Sequence, residues 1–488
     1  MSARIQIVVT LLVLLVVALA APAGANELRV MTLGGARIAF EDEDTRLNPY
    51  DFGRNAAYLL LDYERSWKRF HAGLGYEEGL LKRDYDPKKI SDLRLGASGL
   101  KRLGDRHVIE GSIHYDRQTQ KEVSHSLERD QYNDPFYMTD ATTGTFEYSG
   151  PTMRVDYSLR LFNWLYIGAG LDYDLSSGLK DTYTRPQIVH DHFMANLGAI
   201  VELGSHWAIG AIARPVRTQN RTAFDTTEEG YDNLIYRYYG DAVYDVYTIG
   251  SGTAREVLKG YQVGAQNFFM FDRLKVGVQA TFGERETEIE YGGSKRLVRG
   301  MWQSTVYEAD VIARYQMRLF PWTVGVRFHR MEDDSWGMRP DHDEVVLYEN
   351  PLTLNSAGGG ITWPIQPLGL LASVEYVMSH WKIEVFDHGA GLMRKAKISS
   401  NIGRIGLEHS IRDVHYVRAG FEYTDFLVDR WLKLPANTDR YRFTAGFQYR
   451  TGYWDFDVMM GYNLDTKQNF DAEREAFFGA VWLTGLLD

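Results

Sequence analysis

Residues 151–175 read PTMRVDYSLRLFNWLYIGAGLDYDL and alternate between apolar and polar side chains almost without interruption. In the first half, Met153, Val155 and Tyr157 share one parity, and charged or hydroxyl side chains occupy the other. After residues 162–163 the same alternation restarts. Successive side chains of a strand point to opposite faces, so the pattern predicts a β-hairpin with one continuous apolar face.

The chain begins with the three-part pattern of a secretory signal peptide. Residues 1–25 combine a basic start at Arg4, an apolar run over residues 5–21 and the small-residue end Ala-Gly-Ala. This layout predicts cleavage near Asn26, the alternative being an uncleaved membrane anchor. No later segment has the roughly 20 consecutive apolar residues that a membrane helix needs. We therefore expect a periplasmic protein, a secreted protein or an outer-membrane barrel.

The composition narrows this choice. No linker or change of composition divides the 488 residues, which favours one continuous architecture. Aromatic residues make up 13% of the chain and include 31 tyrosines, as expected of aromatic girdles at two membrane interfaces. A mean hydropathy of −0.33 excludes a helical membrane protein. The chain has no cysteine, hence no disulfide, thiolate metal site or covalently attached haem, and its net charge of −11 argues against a nucleic-acid partner.

The opening hairpin recurs along the chain, and short and long connections alternate between its copies. Short connections are predicted near residues 103–104, 162–163 and 204–205. Long polar stretches between them are predicted to be loops, and these include residues 379–397 and the two longest, residues 117–150 and 215–256. Outer-membrane barrels show this asymmetry, with the short turns on the periplasmic side. The pattern predicts an all-β fold, an antiparallel transmembrane β-barrel of about 18 to 20 strands over residues 56–488, in the outer membrane of a Gram-negative bacterium.

Residues 26–55 form a separate N-terminal segment. They contain Gly-Gly-Ala at residues 34–36, an acidic step at residues 41–44 and Leu-Asn-Pro at residues 47–49. This stretch loosely resembles the start of FadL-like outer-membrane transporters, while the rest of the chain resembles porin-like outer-membrane barrels. The FadL-like resemblance implies a short plug ahead of the first strand and a hydrophobic ligand. The alternative is that residues 29–40 are the first barrel strand.

Charged residues on the polar parity of the strands are the candidate site residues, because they would face a water-filled lumen. Facing basic and acidic walls would favour polar solutes. Alternatively, these residues pair across neighbouring strands and only stabilise a polar interior. The predicted lumen-lining residues are Arg154, Asp156, Arg160, Asp172, Asp174, Glu308, Asp310, Arg314, Arg327, Arg418, Glu422, Arg440, Arg442, Asp455 and Asp457.

No enzymatic, cofactor or metal site is predicted. The adjacent Ser/His pairs at residues 124–125, 379–380 and 409–410 would point to opposite faces of a strand and cannot form a nucleophile and base pair. Acidic clusters, of which residues 332–334 and 341–344 are examples, lack the ordered spacing of a calcium loop. We therefore expect a protein that is not an enzyme.

The leading prediction is a porin-like channel for small hydrophilic solutes, with selectivity from lumen charges and inward-folded loops. The tyrosine-rich stretch 215–256 would fold inward, project as a receptor surface or extend neighbouring strands. Alternatives are a FadL-like transporter of hydrophobic compounds and a structural or secretion-partner barrel. The expected partners are outer-membrane lipid, small solutes and the barrel-assembly machinery, while a homo-oligomer or a protein partner stays open.

Overall fold

The computed structural model describes residues 55–62, 66–83, 86–124, 135–140, 142–182, 185–224, 234–241, 243–248, 253–292, 297–340, 345–365, 368–412, 414–433, 438–451, 454–467 and 472–487. Within these ranges no helix has both the length and the hydrophobicity to cross a bilayer. The predicted signal peptide and residues 29–40 lie outside the described residues.

Strands dominate the described chain. They are β1 (Ser66–Gly79), β2 (Lys89–Leu103), β3 (His107–Ser124), β4 (Phe136–Thr139), β5 (Thr143–Phe162), β6 (Leu165–Lys180), β7 (Gln187–Glu202), β8 (Trp207–Ala223), β9 (Leu234–Tyr239), β10 (Tyr244–Thr248), β11 (Thr253–Met270), β12 (Leu274–Gly292), β13 (Leu297–Gln316), β14 (Thr323–Arg339), β15 (Val345–Glu349), β16 (Leu352–Ile365), β17 (Leu370–Asp387), β18 (Leu392–Ile411), β19 (His415–Thr424), β20 (Thr438–Arg450), β21 (Trp454–Lys467) and β22 (Glu473–Leu487).

Antiparallel pairing between neighbours closes these strands into a barrel. β1 pairs with β22 from Ser66↔Leu487 to Gly79↔Arg474, which joins the two ends of the wall. β15 and β16 both pair with β14 on one side and with β17 on the other, so the two together count as one strand of the wall. The barrel therefore has 18 strands. The predicted fold class is confirmed, with the strand number at the lower end of the predicted range.

The hairpin that the alternation predicts is β5 and β6. Met153 pairs with Tyr173, and Val155 pairs with Leu171, so the apolar side chains of both strands share one face. Met153 and Val155 are 40% and 47% exposed on the outer surface, whereas Asp156 is 1% exposed on the other parity. An apolar outer belt and a polar inner face are what a transmembrane barrel requires.

The strands extend into the long polar stretches, so the loops are shorter than the sequence suggests. In the stretch 379–397, for example, β17 runs on to Asp387 and β18 begins at Leu392. Charged residues continue the alternation above the apolar belt, so polarity alone does not mark the end of a strand. The tyrosine-rich stretch instead contributes β9 and β10, which join β4 in a separate three-stranded sheet.

The barrel wall begins at Ser66 rather than at residue 56. Residues 56–58 form a 3-10 turn, and residues 59–62 form one turn of α-helix. Four apolar residues of this stretch, Ala57, Tyr58, Leu59 and Leu60, are buried against side chains of the barrel wall. We call residues 55–62 the inner segment.

Candidate functional site

The inner face of the barrel carries the charged residues that the sequence predicts for the lumen. They lie on β5, β6, β13, β14, β19, β20 and β21, on the parity opposite to the lipid-facing side chains: Arg154, Asp156, Arg160, Asp172, Asp174, Glu308, Asp310, Arg314, Arg327, Arg418, Glu422, Arg440, Arg442, Asp455 and Asp457. Many pair within the wall: Arg440 Nε lies 2.7 Å from Asp465 Oδ1, and Arg154 contacts Asp156. Their part in transport stays a prediction.

Four of the inner charges form a row across neighbouring strands, which we call the charge row. Glu375 pairs in register with Arg404, Arg404 with Glu422, and Glu422 with Arg442. Arg404 contacts Glu375 and places Nε 2.7 Å from Glu422 Oε2, while Arg442 Nη1 lies 3.4 Å from Glu422 Oε1. Alternating charges on one face attract their direct neighbours, so the row stiffens β17 to β20 and presents both signs to the lumen.

A cavity of about 460 Å³ lies against this part of the inner wall. Its titratable lining residues are Arg327, His329, Glu375, Arg404, Glu422 and Arg442, and Leu354, Val377 and Ile402 add apolar surface. Arg327 is more exposed than the cavity's other two arginines: its side chain is 49% exposed, against 21% for Arg404 and 30% for Arg442. Its Nη2 also lies 2.8 Å from Asp310 Oδ1. The cavity can therefore offer a guanidinium group and carboxylates to a small polar solute.

A second group of charges is buried inside the wall, toward the ends of β18 to β21 that carry the short turns. Arg418 is fully buried, and its Nε and Nη1 lie 2.8 Å from Glu408 Oε2 and 2.9 Å from Asp457 Oδ1. Arg418 also donates a hydrogen bond to Gln448. A buried guanidinium is tolerated only when its donors are satisfied, so this group holds four strands in one arrangement rather than binding solute.

The inner segment lies inside the barrel, near the end with the short turns. Tyr58 packs on Phe268 at a ring-centroid distance of 5.2 Å. Asn55 Nδ2 donates to Gln266 Oε1 at 2.9 Å, and Ser158 Oγ donates to the Ala57 carbonyl at 3.0 Å. Asn55 Nδ2 also donates a longer hydrogen bond, of 3.4 Å, to the Ala211 carbonyl. Apolar residues make up the cluster around the segment, so this part of the lumen is narrowed by a small hydrophobic cluster with few polar contacts.

Three glycines of the wall make room for the inner segment. A Cβ atom at Gly168 would lie 2.2 Å from the Ala57 backbone nitrogen, and one at Gly198 would lie 1.8 Å from Asn55 Oδ1. Gly168 and Gly198 are direct partners on β6 and β7, and Gly210 follows on β8. Any side chain at the first two positions would displace backbone or Asn55, so these glycines form a seat for the segment.

The opposite, extracellular end of the lumen contains the sheet of β4, β9 and β10. Phe136 and Tyr239 pack inside the barrel mouth against Trp302 and Tyr348 of the wall. The close approach of Phe136 depends on Gly337, where a Cβ would lie 2.5 Å from Phe136 Cζ. Ion pairs tie this sheet and the residues beside it to the wall: Lys180 to Asp140, Arg237 to Glu256 and Arg339 to Asp245.

The loop between β19 and β20 also folds into this mouth, and we call its residues 425–433 the cap loop. Trp431 is 3% exposed within the aromatic cluster. Arg430 donates to Asn350 Oδ1 at 2.5 Å, to Asp333 Oδ2 at 2.7 Å and to Ser335 Oγ at 2.9 Å. These three hydrogen bonds hold the loop on the inner face of β14 and the residue after β15. We call the cap loop and the sheet of β4, β9 and β10 together the extracellular cap.

The backbone of the cap loop is strained. Phe426 and Leu432 have φ angles of 52° and 55°, in the left-handed region that non-glycine residues rarely adopt. Each such residue costs about 1 kcal/mol or more. The contacts of Arg430 and Trp431 offset this cost, so the closed loop depends on a small number of tertiary interactions.

Asp241, between β9 and β10, connects the two parts of the extracellular cap. Its carboxylate lies 3.1 Å from Lys433 Nζ of the cap loop and 2.5 Å from Arg394 Nη2 of the wall. Burial by itself would raise the pKa of Asp241, but Lys433 and Arg394 outweigh burial and lower the pKa below its usual value. The carboxylate is therefore ionised at neutral pH and stabilises the cap.

Three important residues were not among those predicted from the sequence. Arg404 continues the alternation with Ile405 and could have been found by parity, although glycines at 403 and 406 weaken the signal. Asn55 and Arg430 lie outside any alternating run, so no local pattern marks them. Their partners are distant: Asn55 and Gln266 are 211 residues apart, and Arg430 and Asp333 are 97 apart.

The acidic cluster predicted at residues 332–334 is not a loop but part of β14. Glu332 accepts from Arg330, and Asp333 accepts from Arg430, so both carboxylates already have cationic partners. In the ranges described, no three His, Asp or Glu side chains are grouped so as to hold a metal ion. Residues 41–44 and 341–344 lie outside the described residues.

The closed antiparallel barrel, its apolar outer belt and its charged interior define the class of protein, a β-barrel of the Gram-negative outer membrane. More narrowly, the chain belongs to a family of unknown function, DUF6850, which it matches over residues 56–336. The match begins at the inner segment and runs to within a few residues of the end of β14.

Solved structures with a similar overall fold are outer-membrane proteins. The monoaromatic hydrocarbon channel CymD is 12% identical, with 95% of this chain and 99% of CymD covered and a TM-score of 0.35. The Pseudomonas putida toluene transporter TodX is 11% identical, with coverages of 95% and 98% and a TM-score of 0.34. The copper transporter OprC is 9% identical, with coverages of 86% and 81% and a TM-score of 0.46. No curated protein matches the chain.

Proposed function

We propose that this protein is an outer-membrane channel for small hydrophilic solutes, in which the lumen is narrowed at both ends and selectivity comes from the charged inner wall. The observation that carries the proposal is the cavity of about 460 Å³ beside the charge row, inside a closed barrel. A water-filled lumen with charges of both signs favours polar and charged solutes over apolar ones.

Ion selectivity tests this proposal with two arginines of the same strand. Arg327 faces the cavity from β14, whereas Arg330 has the opposite parity and is 52% exposed beside Glu332 on the outer surface. Purified protein reconstituted in planar lipid bilayers should conduct, and Arg327→Gln should shift the reversal potential in a salt gradient toward cations. Arg330→Gln, with the same change of charge, should leave it unchanged. Folded protein that never conducts would contradict the proposal.

A FadL-like transporter of hydrophobic compounds is the second candidate. The observation in its favour is the apolar cluster around the inner segment, which includes Leu100, Phe268 and, at its edge, Trp67. A brominated fatty acid bound there should quench the fluorescence of Trp67, and the quenched fraction should fall in Trp67→Phe. Quenching that is the same in both proteins would remove this candidate, and conductance with no quenching would favour the hydrophilic channel.

A further inference from the structure

The outer surface of β17 and β18 changes abruptly from apolar to basic along its length. Its lower part belongs to the lipid-facing belt, where Val374, Tyr376 and Ile405 are 39%, 54% and 50% exposed. Above Met378 the same parity carries His380, followed by lysines and one glutamate. The transition marks the upper edge of the membrane-facing belt on these two strands.

Three lysines above this edge form what we call the basic patch: Lys382, Lys395 and Lys397. Lys382 and Lys397 are direct partners in the β17–β18 ladder, and Glu384 is the direct partner of Lys395. Glu384 Oε1 lies 2.8 Å from Lys382 Nζ, and its Oε2 lies 2.6 Å from Lys395 Nζ. The carboxylate of Glu384 therefore pairs with two ammonium groups. The third ammonium group belongs to the exposed Lys397, which lies directly opposite Lys382 on the neighbouring strand.

Two like charges directly opposite each other destabilise a pair of strands. Two other outer lysines in the described strands, Lys259 and Lys89, each have a carboxylate partner of their own, Glu288 and Glu78. The basic patch instead leaves an excess of positive charge, which an external anion would neutralise. Ser399 lies beside the patch with its hydroxyl 2.9 Å from His380 Nδ1, so hydrogen-bonding groups adjoin the lysines.

The height of the patch identifies where that anion would come from. From Leu370 to Lys382, at about 3.3 Å per residue, the strand runs about 40 Å, or about 30 Å along the membrane normal at the usual strand tilt. The apolar band of an outer-membrane barrel is about 25 Å tall. The lysines therefore lie just above the band on the extracellular side, at the level of the lipid headgroups.

We propose that the basic patch binds the phosphate groups of an anionic lipid of the outer leaflet. The lysines supply charge and hydrogen-bond donors at headgroup depth, and the apolar side chains below them contact the acyl chains. Lys395 Nζ also lies 4.8 Å from the centre of the Phe386 ring, which keeps this ammonium against the barrel surface. This site is independent of the solute that the channel conducts.

Native mass spectrometry of the full mature chain in detergent tests the proposal, with diphosphorylated lipid A as the probe. The triple variant Lys382→Gln, Lys395→Gln and Lys397→Gln should lower the apparent affinity about a hundredfold, since each lysine near an anionic surface contributes about fivefold. The matched control replaces three other outer lysines, Lys68, Lys89 and Lys259, by glutamine and should bind like the parent.

A gain-of-binding variant protects the test against simple misfolding. Glu384→Gln removes the carboxylate that competes for Lys382 and Lys395, so it should tighten lipid binding several-fold. Equal losses in the patch triple and the control triple would overturn the proposal, because they would show only an effect of total charge. Binding of inorganic phosphate at millimolar concentration, with no binding of lipid A, would overturn the assignment of the patch to a lipid. Unchanged affinity for lipid A in the patch triple would overturn it as well.

Discussion

The two ends of the lumen are narrowed by different chemistry. At the end with the short turns, the inner segment packs through Tyr58 and its apolar neighbours, and Asn55 supplies long-range hydrogen bonds to Gln266 and to the Ala211 carbonyl. At the extracellular end, Arg430 and Asp241 connect the cap to the wall through carboxylates and cations. Aromatic packing around Trp431 accompanies these ion pairs.

This difference indicates which end can respond to ionic conditions. Apolar packing depends little on salt or pH, whereas partly exposed ion pairs weaken with ionic strength and with protonation. The cap loop also carries strained residues, Phe426 and Leu432, that its contacts must offset. We therefore expect the extracellular end to open under milder conditions than the end that holds the inner segment.

Removing Arg430 should have the largest effect. Arg430→Ala deletes three hydrogen bonds, one of them to the buried carboxylate of Asp333, so the strained cap loop should leave the mouth. The chain has no cysteine, so a single Val428→Cys reporter can be labelled by an impermeant maleimide without background. We expect labelling to accelerate by more than tenfold and single-channel conductance to rise. Arg330→Ala is the control, and an unchanged labelling rate would show that Arg430 does not hold the loop.

Filling the glycine seat should have the next largest effect, at the other end. In Gly168→Leu the added side chain collides with the Ala57 backbone, so the inner segment must move. An Ala57→Cys reporter, fully buried in the parent, should then become about tenfold more reactive. Gly403→Leu is the control, because a Cβ there meets nothing within 4 Å. If Ala57→Cys stays protected in folded Gly168→Leu, the segment is not seated as described.

Acid should distinguish the two ends. The pKa of Asp241 is lowered in the folded protein, so its contribution to stability is present above its unfolded pKa of about 4 and is lost as pH falls through the lower folded value. Single-channel conductance should therefore increase below about pH 4. Asp241→Asn should show the higher conductance already at neutral pH, with a smaller further increase on acidification. Asp191→Asn, on the outer face of β7, should not. If conductance rises on acidification by the same amount in Asp241→Asn as in the parent, other titrating groups cause the rise.

Asn55→Ala should have the smallest effect. It removes the hydrogen bond to Gln266, worth about 1 kcal/mol or about fivefold in the release of the segment. The longer bond to the Ala211 carbonyl and the local bond from the Ala57 N–H are also lost, while the apolar contacts of Tyr58 persist. The rate of Ala57→Cys labelling should rise by about that factor. An effect as large as that of Gly168→Leu would mean that the amide, rather than apolar packing, holds the inner segment.

Much of the wall follows from the sequence, because strand alternation is a local property. Parity alone places Met153 and Val155 on the outside and Asp156 on the inside, and the structure agrees. The sequence predicts the number of strands only within a range, since a strand with several glycines or a charged extension gives a weak pattern. The sequence underestimates the extent of β17 and β18, because the polar residues of the basic patch are typical of a loop.

The amino-acid sequence by itself therefore determined the architecture: the strands, the faces they present to lipid and water, and a lumen lined with charge. Only the closed tertiary structure decided which segments enter that lumen. The contacts of Asn55 with Gln266 and of Arg430 with Asp333 join residues 211 and 97 positions apart. No periodicity marks such pairs, because they form only after the strands have closed and brought distant side chains to the same level of one cylinder. The physical chemistry at the two ends of the lumen is thus a property of the fold.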